Sequence, residues 1–425
     1  MQATRHPTKT VVAGVIGNVL EWYDFALFGF LAPVIAPLFF PSENRIASLL
    51  ETYGVFALGF LMRPLGGVIF GHIGDRVGRK QALLWSVLLM AVPTTLIAVL
   101  PTYHQIGLAA PLLLTLIRML QGISVGGEFI GSMSFLAEHA PPEKRGLVAS
   151  WCTFSGGLGN LLGSGAAALV TALVPPEQLA TWGWRVPFLA GFAVGLAGLW
   201  LRRGVSETPT FQRAHSHGEA TRAPLLEALE HDRRAMVLTV GLALMLSIGF
   251  YLPWVWLSTW LAKINRPGLP LAEAYRINTI AMAVMTALIP VGGWLSDRVG
   301  RKRILFWASA SVAVMSYPLF LMLSGGSGIT DLEAQLALAF LTAPIYGPAS
   351  AALVEMFPTR RRYSGIAFAY NGTLALVGGT TPLVATFLIE ETGVTIAPAF
   401  YLMAAAVASA VAALGMEDRT GQALL

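Results

Sequence analysis

Runs of apolar residues, each near the ~20 residues needed to cross a hydrocarbon core, recur along the whole chain and are separated by short polar stretches. Twelve transmembrane helices are expected, at 11–39, 49–73, 82–100, 109–137, 147–173, 185–201, 235–262, 272–295, 304–323, 333–356, 364–389 and 396–415. The polar positions inside these runs are few and patterned. Arg118, Gln121, Val125, Glu128 and Ser132 fall on one stripe of the apolar segment Pro111–Ala137. A cation and a carboxylate inside such a helix are costly and face a protein interior or a watery cavity, so they mark a pathway through the membrane.

Composition strengthens this reading. Hydrophobic residues make up 55% of the 425 residues and charged residues 12%, more apolar surface than a soluble core of this size can hide. The single cysteine, Cys152, excludes a disulfide framework and a cysteine-rich metal site. With the N-terminus inside, 21 of the 28 lysines and arginines fall in cytoplasmic loops and tails, which places both termini in the cytoplasm. The formal charge of +5 therefore reflects topology, and no nucleic-acid partner is expected. Residues 1–10 are short and polar, so no removable signal peptide is read.

The chain repeats itself. GHIGDRVGRK at Gly71–Lys80 returns as GWLSDRVGRK at Gly293–Lys302, 222 residues later. Glu138 and Arg145, seven residues apart after the fourth run, return as Glu355 and Arg362 after the tenth. The expected fold is thus an all-α membrane protein of two pseudo-symmetric six-helix halves, 1–201 and 235–425, joined by a polar cytoplasmic linker at 202–234. Asp75 or Asp297 can face the positive end of a neighbouring helix or pair with Arg79, Arg301, Arg145 or Arg362. Together with Glu138 and Glu355 these residues form a candidate cytoplasmic gate, latched only when the halves meet.

Over nearly its full length the chain resembles the major facilitator superfamily and, within it, the metabolite:proton symporter family. The resemblance rests on GNVLEWYDFALFGF at Gly17–Phe30, GFLMRPLGG at Gly59–Gly67, both DRVGRK loops, RMLQGISVGGE at Arg118–Glu128, GWRVPF at Gly183–Phe188, RRGVSETPTF at Arg202–Phe211 and MFPTRRRYSG at Met356–Gly365. It implies a bacterial inner-membrane transporter, not an enzyme, that imports organic acids or zwitterions with protons by alternating access. No cofactor is implied beyond the proton gradient, and the monomer is the expected functional unit.

Counting along the helices at 1.5 Å per residue puts Asp24 and Arg118 at similar depth. Related sugar-proton symporters are similar in pairing an aspartate of the first span with the arginine aligned with Arg118, which makes Asp24 the first candidate for proton coupling, with Arg118, Glu21 and Glu128. Candidate substrate contacts are Arg118, Gln121, Trp22, Tyr251, Trp254, Asn160, Tyr346, Tyr370 and Asn371. Arg63 reads as snorkelling or latching, and Tyr251, Trp254, Trp256 and Trp260 as an interfacial belt from which Tyr251 and Trp254 can turn inward. Gly156, Gly157, Gly159, Gly163 and Gly165 read as close helix packing.

As the arginine placed in the outer half of the membrane, Arg118 favours a small organic acid of the di- or tricarboxylate class. A proline- or betaine-type zwitterion is the alternative, its ammonium held by aromatic faces. A drug:proton antiporter shares the fold but lacks support in Ser155–Gly165, where no glycine-proline pair occurs. The absence of GxxxxGK[ST] argues against ATP hydrolysis.

Overall fold

In lipid a backbone must satisfy its own hydrogen bonds, and a helix does so within one segment. The apolar runs accordingly become helices. The computed structural model describes residues 7–67, 69, 79–124, 128–203, 224–266, 269–359 and 361–424. Helices α1 (Pro7–Phe39), α2 (Arg45–Leu61), α3 (Arg79–Val99), α4 (Ala109–Ser124 and Glu128–His139), α5 (Arg145–Leu173) and α6 (Val186–Arg203) precede the stretch 204–223. After it come α7 (Arg233–Phe250, running on to Asn265), α8 (Leu271–Val299), α9 (Arg301–Gly325), α10 (Gly328–Glu355), α11 (Arg362–Thr373, running on to Thr392) and α12 (Ala397–Gly415). Among the described residues ten of these meet the length and apolarity needed to cross a membrane, and α3 and α6 occupy the two remaining expected places.

Local chemistry sets the ends. Asn44 Oδ1 accepts from the backbone nitrogens of Ile46 (2.8 Å) and Ala47 (3.4 Å), so α2 starts at Arg45, ahead of its apolar run. Between α8 and α9 the chain turns at Gly300, whose φ of 105° suits a residue without a Cβ. Long apolar side chains such as Leu112, Leu173, Val237, Trp307 and Val411 stay exposed, as lipid-facing positions must.

The glycines of α5 bring helices close. A Cβ on Gly159 would sit inside van der Waals distance of the Val19 carbonyl, so α5 packs directly on α1. The largest contact between the two sets of six helices is α5 on α8, with further contact of α1 on α7 and α2 on α11. On this side of the molecule Ser164 Oγ lies 2.8 Å from Thr279 Oγ1, and the Tyr275 hydroxyl donates to the Phe30 carbonyl.

Two expectations about polar side chains fail. Tyr251, Trp254, Trp256 and Trp260 form no interfacial belt: all four are buried, with Trp256 Nε1 donating to Thr386 Oγ1 (2.9 Å) and Trp260 Nε1 to the Thr395 carbonyl (2.8 Å). Arg63 does not snorkel. It is 3% exposed and its guanidinium lies against the rings of Phe60 (4.3 Å), Phe25 (4.7 Å) and Trp22 (5.1 Å).

Candidate functional site

Where α1, α4 and α5 face α7, α10 and α11, a cavity remains. Six aromatic residues, Trp22, Phe129, Phe250, Tyr251, Tyr346 and Tyr370, share its wall with aliphatic, small and neutral polar residues. The rings brace one another: Trp22 meets Phe129 edge-on at 5.7 Å, Phe129 stacks on Tyr370 at 5.8 Å, and Phe250 meets Tyr346 at 5.9 Å. Gly156 and Gly157 add no bulk to the wall, so these two glycines make space as well as helix contact. Two helices widen to π geometry here, at Tyr251–Trp256 and Leu374–Gly378, and both segments contribute to the wall. In α7 the widened segment contains Pro253, which has no N–H for the regular ladder.

The polar groups of this wall are poised for a guest. Trp22 Nε1, the Tyr251 and Tyr346 hydroxyls and Asn160 Oδ1 are buried without hydrogen-bond partners, while Asn160 Nδ2 donates to the Gly156 carbonyl at 2.8 Å. Among the described residues no lysine, arginine, aspartate or glutamate lines the cavity.

Asp24 and Arg118 lie elsewhere, inside the first six helices. They are joined through two neutral side chains. Arg118 Nη1 donates to Gln121 Oε1 (2.7 Å), Gln121 Nε2 to Thr94 Oγ1 (2.7 Å), and Thr94 Oγ1 to Asp24 Oδ2 (3.1 Å). Thr94 also reaches the Met90 carbonyl at 2.9 Å, and its one hydrogen serves one acceptor fully at a time. Asp24 is 1% exposed, and its Oδ1 has no partner. Gly191 of α6 leaves the room that this carboxyl occupies. Arg118 is sandwiched by Phe25 and Phe28, each 4.5 Å from its guanidinium, with Nε and Nη2 unpartnered.

A third cluster closes the face that carries the repeated loops. Arg145 Nη1 donates to Glu355 Oε1 (2.8 Å), and Arg362 Nη1 donates to Glu138 Oε1 (2.7 Å). Each half lends an arginine to the other half's glutamate. Each arginine also uses Nε on a carbonyl eight residues earlier, Ala137 at 3.3 Å and Val354 at 3.0 Å. Asp297 accepts from the backbone nitrogens of Gly146 (2.7 Å) and Leu147 (2.9 Å), placing a carboxylate on the positive end of α5. Arg301 holds Asp297 at 3.1 Å, and its Nε approaches Glu355 Oε2 to 2.8 Å, off the hydrogen-bond axis.

Residues 14–346 match the family described as Major Facilitator Superfamily. The chain is 33% identical to the glycine betaine/proline/ectoine/pipecolic acid transporter OusA of Dickeya dadantii, across 98% of this chain and 84% of that one. This chain belongs to the major facilitator superfamily. Within it, the metabolite:proton symporter resemblance holds. The proline/betaine transporter of Escherichia coli K12 is 32% identical over the same shares, and a putative proline/betaine transporter of Staphylococcus aureus is 35% identical across 94% of this chain and 86% of its own length. The solved structure of the proton:xylose symporter XylE bound to 6-bromo-6-deoxy-D-glucose superposes with a TM-score of 0.78 at 19% identity, covering 97% of this chain and 96% of that one.

In this major facilitator protein the sequence candidates divide among the three places. Trp22, Asn160, Tyr251, Tyr346 and Tyr370 meet at the cavity, whereas Trp254 is buried in α7 away from the lining and Asn371 is half-buried and also outside it. Gln121 and Arg118 belong to the Asp24 chain of hydrogen bonds instead of the wall. Glu21 is buried on α1. Asp75 and the side chains of Arg79 and Glu128 lie outside the described residues. Sequence reasoning missed Phe129, Phe250 and Thr94. Phe129 was signalled by its place beside Glu128, and Thr94 by being one of two adjacent threonines in a span whose only other polar residue is Ser86.

Proposed function

We propose that this multi-pass transporter takes up a zwitterionic solute of the proline and betaine class together with protons, across the bacterial inner membrane and with both termini cytoplasmic. The observation that carries the reading is a cavity with six aromatic residues in its wall and, among the described residues, no charged one. A di- or tricarboxylate would bring two or three negative charges to a wall whose described lining residues carry none. A zwitterion has no net charge, and each ring face beside its ammonium contributes about 0.5–2 kcal/mol. The organic-acid expectation therefore gives way to its alternative, which is also the substrate class that the relatives' names state. Its basis was Arg118, and that guanidinium lies among phenylalanines of α1 and α2.

The two six-helix halves, residues 1–201 and 235–425 with the linker 202–234 between them, rock about this cavity as a monomer. Asp24 carries the coupling. A proton on its carboxyl removes a buried charge that only one hydrogen bond matches, and Thr94 then directs its hydrogen to Met90. The Thr94–Gln121–Arg118 chain thus changes with the proton, which ties protonation to the packing of α1, α3 and α4.

Proteoliposomes with an inward-directed proton gradient test the reading. Labelled betaine or proline accumulates, and excess citrate does not compete. Accumulation of citrate, with betaine and proline excluded, would return the organic-acid reading.

A further inference from the structure

Arg63, from the FLMRPLGG motif, is a buried cation beside the cavity that neither the coupling chain nor the latch uses. Its guanidinium lies 5.1 Å from the ring of Trp22, which itself forms part of the wall. On its other side it touches Phe60, and Phe60 packs on the wall residue Tyr251 at 5.2 Å. The cation thus sits one aromatic layer behind the cavity. Two of its donors, Nε and Nη2, are buried and unpartnered. Leaving such donors unmade is costly, and a planar fork of this kind is matched by a carboxylate.

We infer that Arg63 is the cation that takes the carboxylate of the zwitterion, with Trp22 as the ring that separates it from the aromatic cavity and moves when substrate is loaded. The inference rests on the zwitterion reading and deepens it. The ammonium lies among the rings and the carboxylate points towards α2, so the site selects a ligand that carries both charges. Arg118 does not serve this end: its ring neighbours Phe25, Phe28 and Phe56 do not line the wall, and its one paired donor is committed to Gln121.

The experiment compares betaine with choline, which keeps the quaternary ammonium and lacks the carboxylate. Affinities are measured on purified protein for the parent, Arg63→Gln and Arg63→Lys. The parent prefers betaine. Loss of a charged hydrogen-bond partner weakens betaine binding by roughly tenfold to a hundredfold in Arg63→Gln while choline binding holds, so the preference collapses. Arg63→Lys keeps the charge without the fork and recovers part of the preference. If Arg63→Gln does not fold, Arg63→Lys alone decides, because full betaine preference in it overturns the inference. Equal losses for both ligands, or an intact preference in Arg63→Gln, also overturn it while leaving the zwitterion reading in place. Failure of the parent to bind betaine or proline overturns both.

Discussion

Glu355 gives the sharpest test of the latch. Its carboxylate is 4% exposed and faces two buried guanidiniums, those of Arg145 and Arg301. Arg301 belongs to the same half, so its contact persists in every state and cancels. Only the contact with Arg145 is made when the halves meet on the loop face, and only a differential contact biases the equilibrium. Removing one partner of a buried pair costs about 3–5 kcal/mol. Arg145 keeps the carbonyls of Ala137 and Gln422, which argues for the lower end. A loss of about 3 kcal/mol shifts the closed-to-open ratio roughly a hundredfold, so Glu355→Gln should turn a mostly closed population into a mostly open one. Glu138 is a built-in comparison. Its pair with Arg362 has a similar distance, but the carboxylate is 39% exposed against 1% for the arginine, and solvent screening brings its contribution towards the ~1 kcal/mol of surface pairs. Glu138→Gln should move the ratio only a few-fold. Spin labels at the exposed positions His139 and Arg303 report the distance across this face. An unchanged distance distribution in Glu355→Gln, or equal shifts in the two variants, would refute the reasoning.

Asp24→Asn should abolish betaine accumulation driven by a pH gradient and retain exchange of labelled for unlabelled betaine, since exchange needs no net proton release; accumulation at the parental level would make Asp24 structural. Tyr370→Leu removes one ring face and should weaken betaine binding about 3- to 30-fold, with Tyr370→Phe close to the parent; calorimetric titration distinguishes a ring from a hydroxyl contribution. Gly159→Val forces a side chain against the Val19 backbone and should cost about 1–3 kcal/mol. It is read as a lower midpoint of thermal unfolding in detergent, and an unchanged midpoint would mean that α1 and α5 are free to separate.

The sequence by itself determined the number and order of the helices, because lipid demands apolar runs of a set length and charge marks their ends. It also picked out the residues of the latch, but not which arginine meets which glutamate. Glu138 with Arg145 and Glu355 with Arg362 are copies of one motif, and a repeat related by a pseudo-two-fold axis lets each copy supply what the other lacks. Depth along a helix was legible as well, so Asp24 and Arg118 were expected near each other. Which face of each helix turns inward was not legible, since helices that are apolar almost all round offer no amphipathic stripe to orient them. Packing decided that Trp22, Tyr251 and Tyr370 share a wall while Trp254 and Arg118 do not. Packing also placed Gln121 and Thr94 between the expected ion pair and hid Arg63 behind a ring. The preference for an organic acid came from assigning a lone arginine to the substrate by depth alone. Only the tertiary structure says what that arginine faces, because position across the helix axis depends on the neighbours that close around it.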